Sequence, residues 1–284
     1  MLVWGGTFTS ARMLGSELDP IISAFLRFLL ASSILVAFLY YKEKHLPGIT
    51  TKQFIGLLGM GLTGIALYNL FFFYGLVHAE ASRGSLITST NPLLTALGSA
   101  LLFKERFTLI RVIGFVLCIF GAILIISRGD LTILLSEGIG LGEMSFIGCS
   151  FSWAAYTLIG RFVSKDLSSL VVIAYASMFG TVILFFVAIL TKGSGLFDAI
   201  AGLSMSAVSH LIYLAVLATV FGFVWFQEGI KVLGAAKAAV FIYFMPVSAV
   251  FLAYVILHEK LTLVLVLGAI LVISGIYLVN KKGK

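Results

Sequence analysis

The chain has 284 residues, of which 61% are hydrophobic and 11% are charged, and its formal net charge is +7. Soluble domains contain roughly 25% charged and 45–50% apolar residues, so most of this chain is expected to be solvated by lipid rather than water. The positive charge does not indicate a nucleic-acid partner, because the basic residues stand in short clusters between apolar runs and form no basic stripe.

Apolar runs long enough to cross a bilayer follow one another along the chain. A spanning helix needs about 20 mostly apolar residues, and nine runs have this character, preceded by a shorter one. Charges and turn formers separate them, as in KEKHLPG, RGDL and TKGSG. The sequence therefore predicts an all-α membrane protein with ten transmembrane helices, over Met1–Leu14, Ile21–Tyr41, Phe54–Val77, Ser85–Phe103, Leu109–Ser127, Leu141–Phe162, Leu170–Leu190, Ser206–Ile230, Ala235–Leu257 and Leu261–Val279.

The basic residues predict how these helices are oriented. With ten spans and a cytoplasmic C-terminus, thirteen Lys and Arg fall on inside connections and five on outside ones, and Arg27 is left within a span. Cytoplasmic loops carry an excess of Lys and Arg. We therefore expect a multi-pass protein of the cell membrane with both termini in the cytoplasm.

The second half of the chain repeats the first. PLLTALGSALLFKERFT, from Pro92 to Thr108, and PVSAVFLAYVILHEKLT, from Pro246 to Thr262, share Pro, Glu and Thr at the same spacings, 154 residues apart. The same shift pairs glycines, Gly75 with Gly229, Gly114 with Gly268, and Gly121 with Gly275. The last four, seven apart in each helix, predict close helix packing. Because each half has five helices, the halves enter the membrane from opposite sides, which predicts inverted-topology repeats and alternating access near the midplane.

The front of each half repeats more faintly. Trp4 and Arg12 stand eight residues apart, as do Trp153 and Arg161. Trp153 lies twelve residues after Leu141, where its helix is predicted to begin, whereas Trp4 has only three residues before it. We therefore expect that helix one either lacks about nine residues at its start or is unusually short.

These motifs resemble the EamA family of the drug/metabolite transporter superfamily. The resemblance rests on P-x12-E-x2-T followed by G-x6-G in both halves, on the W-x7-R helix starts, and on WFQEGIKVLGAAKAAVF. It implies two five-helix family domains, residues 1–127 and 141–280, the first with a truncated helix one. It also implies a secondary active transporter, often an exporter, of a metabolite, an amino acid, a nucleotide precursor or a drug, with no enzymatic activity.

Two prolines and two glutamates of the repeat are candidate functional or structural residues. Pro92 and Pro246 lie about eight residues into their spans, where a proline kinks a helix. They are predicted to be hinges beside the transport path, the alternative being packing alone. Glu105 and Glu259 lie between paired helices, three residues before a Thr that opens the next run, which is typical of turns and helix starts.

Arg27 is a charge at membrane depth. It stands about seven residues, or ~10 Å, inside the outer end of its predicted span. A charge at this depth is expected to face a partner or the bundle interior. Two interpretations follow: Arg27 pairs with Glu17, Asp19 or Glu80, or it anchors an anionic group of the substrate.

Glu228 is the second ionisable candidate. It lies with Gln227 near the cytoplasmic end of a span, with Trp225 and Tyr243 predicted close by. A carboxylate in hydrocarbon costs ~2.5–3.5 kcal/mol, and Lys231 offers an ion pair three residues on. The sequence leaves open whether Glu228 forms that pair or is a proton or cation site.

Together, the polar and aromatic side chains at membrane depth define a predicted substrate cavity. Each could instead serve an interhelical contact. The candidates are Trp4, Arg27, Tyr68, Asn69, Asn91, Trp153, Tyr156, Trp225, Gln227, Glu228 and Tyr243.

Other motifs point away from catalysis. GMGLTG, Gly59–Gly64, has the G-x-G-x-x-G spacing but lies inside an apolar helical run, so glycine-rich packing is expected instead of dinucleotide binding. Cys118 and Cys149 lie within apolar runs without metal-ligand spacing and are predicted to be buried small side chains.

No cofactor or metal is predicted. The expected partners are the lipid bilayer, a small-molecule substrate, and a coupling proton or exchanged solute. The alternative is a membrane-embedded enzyme or scaffold.

Overall fold

The computed structural model describes residues 2–103, 109–130, 132, 139–163, 167–223, 225 and 244–280. Its regular elements over these residues are all helices. They are α1 (Leu2–Glu17), α2 (Pro20–Glu43), α3 (Thr51–His78), α4 (Ala81–Thr88), α5 (Asn91–Phe103), α6 (Leu109–Ile126), α7 (Leu141–Val163), α8 (Ser169–Lys192), α9 (Gly195–Ala201), α10 (Met205–Phe221), α11 (Phe244–Leu257) and α12 (Leu263–Asn280).

The helices have the length and surface of membrane spans. Over the described ranges, α2, α3, α6, α7 and α8 are long and apolar enough to cross a bilayer, and α9 and α10, bent by 97° at their junction, pass the same test together. Helices α11 and α12 are shorter apolar helices. Large apolar side chains cover the outside, with Leu109 76% exposed and Leu190 83% exposed. The chain is thus an all-helical membrane protein, as its composition predicts.

Polar side chains start the helices where the turn formers predict breaks. Asp19 accepts a hydrogen bond from the Ile21 amide at 2.9 Å, ahead of Pro20 at the first position of α2. Thr50 and Gln53 form a reciprocal capping box at α3. Three further residues, Ser168, Ser204 and Thr262, accept amide hydrogen bonds at the starts of α8, α10 and α12.

The predicted fourth span, Ser85–Phe103, is broken near its start. Helix α4 ends at Thr88 and α5 begins at Asn91, with the Leu93 amide bonded to the Thr90 carbonyl at 2.9 Å. Pro92 lies in the first turn of α5, where its missing amide hydrogen costs no helical hydrogen bond. The proline therefore starts a second helix instead of kinking a continuous one.

Glycines bring helix backbones together, as predicted. A Cβ on Gly114 would lie 2.6 Å from the Gly275 carbonyl oxygen, and one on Gly121 would lie 2.9 Å from that of Gly268, so α6 and α12 touch backbone to backbone and run antiparallel. In the G-x-G-x-x-G stretch, a Cβ on Gly64 would collide with the Tyr156 ring. That stretch packs helices, as expected.

Charged groups tie together the ends of α3, α4, α7 and α11. Glu259 accepts hydrogen bonds from the Ala81 and Ser82 amides at 2.7 and 3.0 Å. Arg83 bridges Glu80 at 2.8 Å and Glu143 at 3.3 Å. Glu259 therefore has a structural role at a helix start, but the helix is α4, far along the chain, because the folded bundle brings that N-terminus to it.

Further residues singled out in the sequence can now be placed in the fold. Cys118 and Cys149 are both buried and free, as the sequence predicts. Arg12 of the W-x7-R frame donates to the carbonyls of Leu76 and Ala79, the latter at 2.6 Å. The frame thus fastens α1 to the C-terminal end of α3. Glu105 lies outside the described residues.

Candidate functional site

A cavity of about 560 Å³ lies among the helices and is a candidate site for a small molecule. Its walls come from α1, α2, α3, α4, α5, α7, α8, α10, α11 and α12. Cavities of 300–1,000 Å³ with a few polar groups in an apolar lining typically hold small ligands. The predicted residues that line it are Trp4, Arg27, Tyr68, Asn91, Pro92, Trp153, Tyr156 and Pro246.

Aromatic rings form much of the wall. Tyr68 and Trp153 have ring centroids 5.4 Å apart, and Trp153 and Tyr156 5.2 Å apart. Phe72 packs edge-on against Phe8 at 5.1 Å. These rings come from α1, α3 and α7 and fix one another by offset and edge contacts. The cavity thus presents a rigid apolar surface to a bound molecule.

Arg27 contributes a positive charge to this apolar wall. The residue is only 9% exposed, and its guanidinium donates to Asn69 Oδ1 at 3.0 Å and Thr219 Oγ1 at 3.3 Å. Its Nε has no hydrogen-bond partner. A charge at membrane depth costs about 2.5–3.5 kcal/mol on insertion scales, and two neutral acceptors do not cancel it.

The expected pairing of Arg27 with Glu17, Asp19 or Glu80 is wrong. These acids are engaged elsewhere: Asp19 binds Lys192 Nζ at 2.6 Å, and Glu80 binds Arg83. Glu17 accepts hydrogen bonds from Ser204 and Ser206. All three belong to the helix ends, whereas Arg27 points into the bundle, where the cavity lies.

The two partners of Arg27 are presented by unusual helical segments. Helix α3 is π-helical over Gly61–Leu67, just before Asn69, and α10 is π-helical over Tyr213–Phe221, which contains Thr219. A π segment rotates the following side chains relative to an α-helix and often marks a functional site. Asn69 therefore does not line the cavity itself, but it holds the arginine that does.

The remaining predicted residues differ in where they lie. Asn91 lines the cavity, and its side-chain oxygen is buried without a hydrogen-bond partner. Trp225 is 58% exposed, packs against Phe221 at 5.5 Å, and is not among the described lining residues. Three candidates, Gln227, Glu228 and Tyr243, lie outside the described residues.

Sequence reasoning missed about two thirds of the described lining residues. For two of the missed residues, Thr88 and Ser89, the sequence does carry a signal, because these hydroxyl side chains come shortly before Pro92 in an apolar run. The others are apolar or small residues that look like any lipid-facing position in such a chain. They include Thr7, Phe8, Met60, Phe72, Thr157, Gly160, Ser169, Ala218, Phe223 and Met245.

A bundle of apolar helices around a cavity with aromatic walls and a buried charge defines a multi-pass membrane protein with a small-molecule site. The model of the EamA-like transporter family matches residues 1–127 and 140–281. The chain therefore belongs to this family and is a membrane transporter. The resemblance carried by its sequence motifs is confirmed.

Relatives of similar length carry transporter names. "Uncharacterized transporter YyaM" of Bacillus subtilis is 28% identical over 96% of this chain and 88% of its own. An "Uncharacterized transporter" of Archaeoglobus fulgidus is 30% identical over 99% and 95%. The "Probable terminal-alkyne amino-acid exporter" of Streptantibioticus cattleyicolor is 27% identical over 78% and 71%.

A solved structure shares the fold. A crystal structure of another protein, 20% identical in sequence, superimposes with a TM-score of 0.58 over 98% of this chain and 92% of its own. At this identity the similarity concerns the arrangement of helices alone. The same arrangement therefore occurs in an experimentally determined protein.

Proposed function

We propose that the protein is a secondary active transporter that exports a small polar or amphipathic metabolite, amino acid or drug by alternating access. Its architecture would be ten transmembrane helices in two inverted five-helix repeats, residues 1–127 and 141–280. The observation that carries the proposal is the central cavity, whose walls come from both halves of the chain. A cavity between inverted repeats is where such transporters bind their solutes.

The helix boundaries support the repeat. A shift of 154 residues carries Leu109–Ile126 onto Leu263–Asn280, the bounds of α6 and α12, and carries Thr51, the start of α3, onto Met205, the start of α10. The shift of 149 residues that relates Trp4 to Trp153 carries Pro20–Glu43 onto Ser169–Lys192, the bounds of α2 and α8.

Contacts between equivalent helices support the inversion. Cys118 Sγ lies 3.5 Å from the Val272 carbonyl oxygen, and these positions are 154 residues apart. Ser32 and Thr181 share a 3.0 Å hydrogen bond and are 149 residues apart. In a bundle whose halves are related by an approximate two-fold axis, each such position would lie against its own counterpart. Antiparallel packing of equivalent helices is what inverted halves require.

Polar contacts join helices at the end of the bundle opposite Gly160 and Ser169, which supports an inward-facing state. Cavity-lining residues continue to Gly160, near the end of α7, and to Ser169, the first residue of α8. The positive-inside pattern assigns that end to the cytoplasm. At the opposite end, Glu259 holds α4 and Arg83 bridges to Glu143. We infer that these polar ties close the outer side and separate when the site faces outward.

Uptake into proteoliposomes tests the proposal. The purified full chain would be assayed with labelled carboxylates, amino acids, amines and nucleosides, with and without a pH gradient, against protein-free vesicles. At least one class should enter faster than in the control. Failure of every class under all gradients would contradict the proposal and favour the enzyme or scaffold alternative.

Glu228 is the candidate for proton coupling. If it carries the proton, Glu228→Gln should abolish the dependence of uptake on the pH gradient while exchange of solute at equal pH continues, because an amide cannot release a proton. The measurement is initial uptake rate against imposed gradient for both proteins. Unchanged dependence would assign Glu228 to an ion pair such as the one with Lys231.

A further inference from the structure

Arg27 brings a charge to the cavity that the surrounding residues do not neutralise. A guanidinium has five N–H donors, and Arg27 uses two of them, toward Asn69 and Thr219. Its Nε has no partner, although the side chain is almost wholly buried. Within the described part of the chain, no carboxylate lies within ion-pair distance of it. Among the described residues, the cavity wall therefore carries a positive charge that no carboxylate compensates.

The geometry of the site favours a carboxylate over a bulkier anion. Arginine presents N–H groups as a planar fork that matches the two oxygens of a carboxylate. A single guanidinium balances a single negative charge, whereas a phosphate dianion would leave an unpaired charge in an apolar cavity. The structure therefore favours a monoanion with two coplanar acceptor oxygens.

The rest of the wall suits an apolar body on that anion. Tyr68, Trp153 and Tyr156 form a continuous set of ring contacts, which extends from Tyr68 to Phe72 at 6.0 Å and from Phe72 to Phe8. Aromatic walls bind flat or apolar groups by offset and edge contacts. A volume of about 560 Å³ admits a body the size of one or two rings.

We propose that the solute of this cavity is a small organic monocarboxylate with an apolar or aromatic body, and that Arg27 holds its carboxylate. This rests on the proposed function only in taking the cavity to be the transport site. The proposal itself concerns binding, so it is tested on protein that need not transport.

Intrinsic tryptophan fluorescence provides the measurement. Of the three tryptophans, Trp4 and Trp153 line the cavity, and Trp225 is not among the described lining residues. Detergent-solubilised full chain, excited at the red edge of tryptophan absorption, would be titrated with three probes of matched body: 3-phenylpropionate, 3-phenylpropionamide and 3-phenylpropylamine.

The wild-type protein should bind the carboxylate about tenfold or more tighter than the amide, because a hydrogen bond to a charged group is stronger than a neutral one. The amine should bind weakest, since it meets a like charge. Arg27→Gln should abolish the preference, so that the carboxylate binds no tighter than the amide, because neither probe then meets a charged donor. Arg27→Lys, which keeps the charge but not the fork, should retain part of the preference.

Controls make the outcome decisive. Arg128 is exposed after α6, and Arg128→Gln removes the same charge away from the cavity, so its selectivity should equal that of wild type. Amide binding by Arg27→Gln verifies that the cavity has formed. If that variant does not fold, the partial loss of preference in Arg27→Lys is used as the test instead.

Three results would overturn the proposal. They are equal binding of carboxylate and amide by wild type, no carboxylate binding at all, and a preference that survives in Arg27→Gln. A proteoliposome assay without uptake, alongside intact selectivity, would instead contradict only the transport function.

Discussion

Glu259 illustrates how one side chain joins distant parts of the bundle. Its carboxylate accepts hydrogen bonds at the start of α4 from the Ala81 and Ser82 amides and from the Ser82 hydroxyl. A negative charge at a helix N-terminus is favoured by the helix dipole as well as by these hydrogen bonds. Glu259 therefore stabilises the junction of α4 with the end of α11.

Glu259→Gln should destabilise the protein by about 1–2 kcal/mol, because an amide oxygen is a weaker acceptor than a carboxylate and brings no charge to the helix end. The measurement is thermal unfolding of the detergent-solubilised protein. Glu43→Gln is the matched control, because Glu43 is the last residue of α2, where the helix dipole does not favour a negative charge, and this variant should be at least as stable as wild type. Equal stability of Glu259→Gln and wild type would show that the cap contributes nothing.

Glu17 ties the end of α1 to the start of α10. Hydrogen bonds from Ser204 and then Ser206 lower the pKa of this exposed carboxyl. A lowered pKa means that the ionised form is favoured in the folded protein, so the stabilisation is present above the ordinary glutamate pKa of about 4.3 and disappears as the pH falls through the lowered value.

The difference in melting temperature between wild type and Glu17→Gln should therefore be constant above about pH 4.5 and shrink below it. Melting curves of both proteins from pH 7 downward measure this difference. A gap that stays constant or widens with acidification would mean that the serine hydrogen bonds do not favour the charged carboxyl.

For individual residues, the sequence identifies charged and aromatic side chains of the cavity better than it identifies the groups that they contact. Arg27 is identified from the sequence because a lone charge in a hydrophobic run is rare, and Trp153 because it repeats Trp4. The partners of Arg27 depend on how α3 and α10 are wound, which the sequence does not reveal. Phe8 and Phe72 give no signal, because a phenylalanine facing a cavity and one facing lipid look alike in an apolar chain.

At the scale of helices, irregular segments surround the cavity. The π-helical stretches of α3 and α10 and the break at Ser89–Thr90 all lie beside lining residues. The regular helices α6 and α12 pack against each other through glycines. The existence of each helix follows from hydrophobic runs and caps, whereas the winding within a run does not, since π and α turns use the same residues.

Helices α6 and α12 provide a test of glycine packing. A Cβ on Gly275 would lie 2.5 Å from the Gly114 carbonyl oxygen and 2.6 Å from Cys118 Sγ. Gly275→Ala should therefore separate the helices and cost about 1–3 kcal/mol, as overpacking does. Gly48→Ala is the control, because nothing lies within 4 Å of its Cβ position. The stability of both variants and of wild type would be measured by unfolding in detergent. Equal stability of Gly275→Ala and Gly48→Ala would mean that α6 and α12 can move apart at this contact without loss of stability.

At the scale of the whole molecule, the proposed repeat would account for the cavity. In inverted halves, equivalent helices run antiparallel and leave a space where the halves meet, and Pro92 and Pro246, 154 residues apart in the sequence, both line the cavity. The class of protein follows from composition and the paired motifs. The chemistry of the space does not, because it depends on which few side chains turn inward.

The central claim, that this cavity is the transport path, is tested most directly by filling it. Gly160 lines the cavity near the end of α7, and Gly160→Trp would place a large ring there, whereas Gly48→Trp places the same ring in open space. Both proteins would be checked for a monodisperse folded state and compared with wild type in proteoliposome uptake of the same solutes. We predict that uptake is lost in Gly160→Trp and retained in Gly48→Trp. Uptake by folded Gly160→Trp at the wild-type rate would contradict the claim.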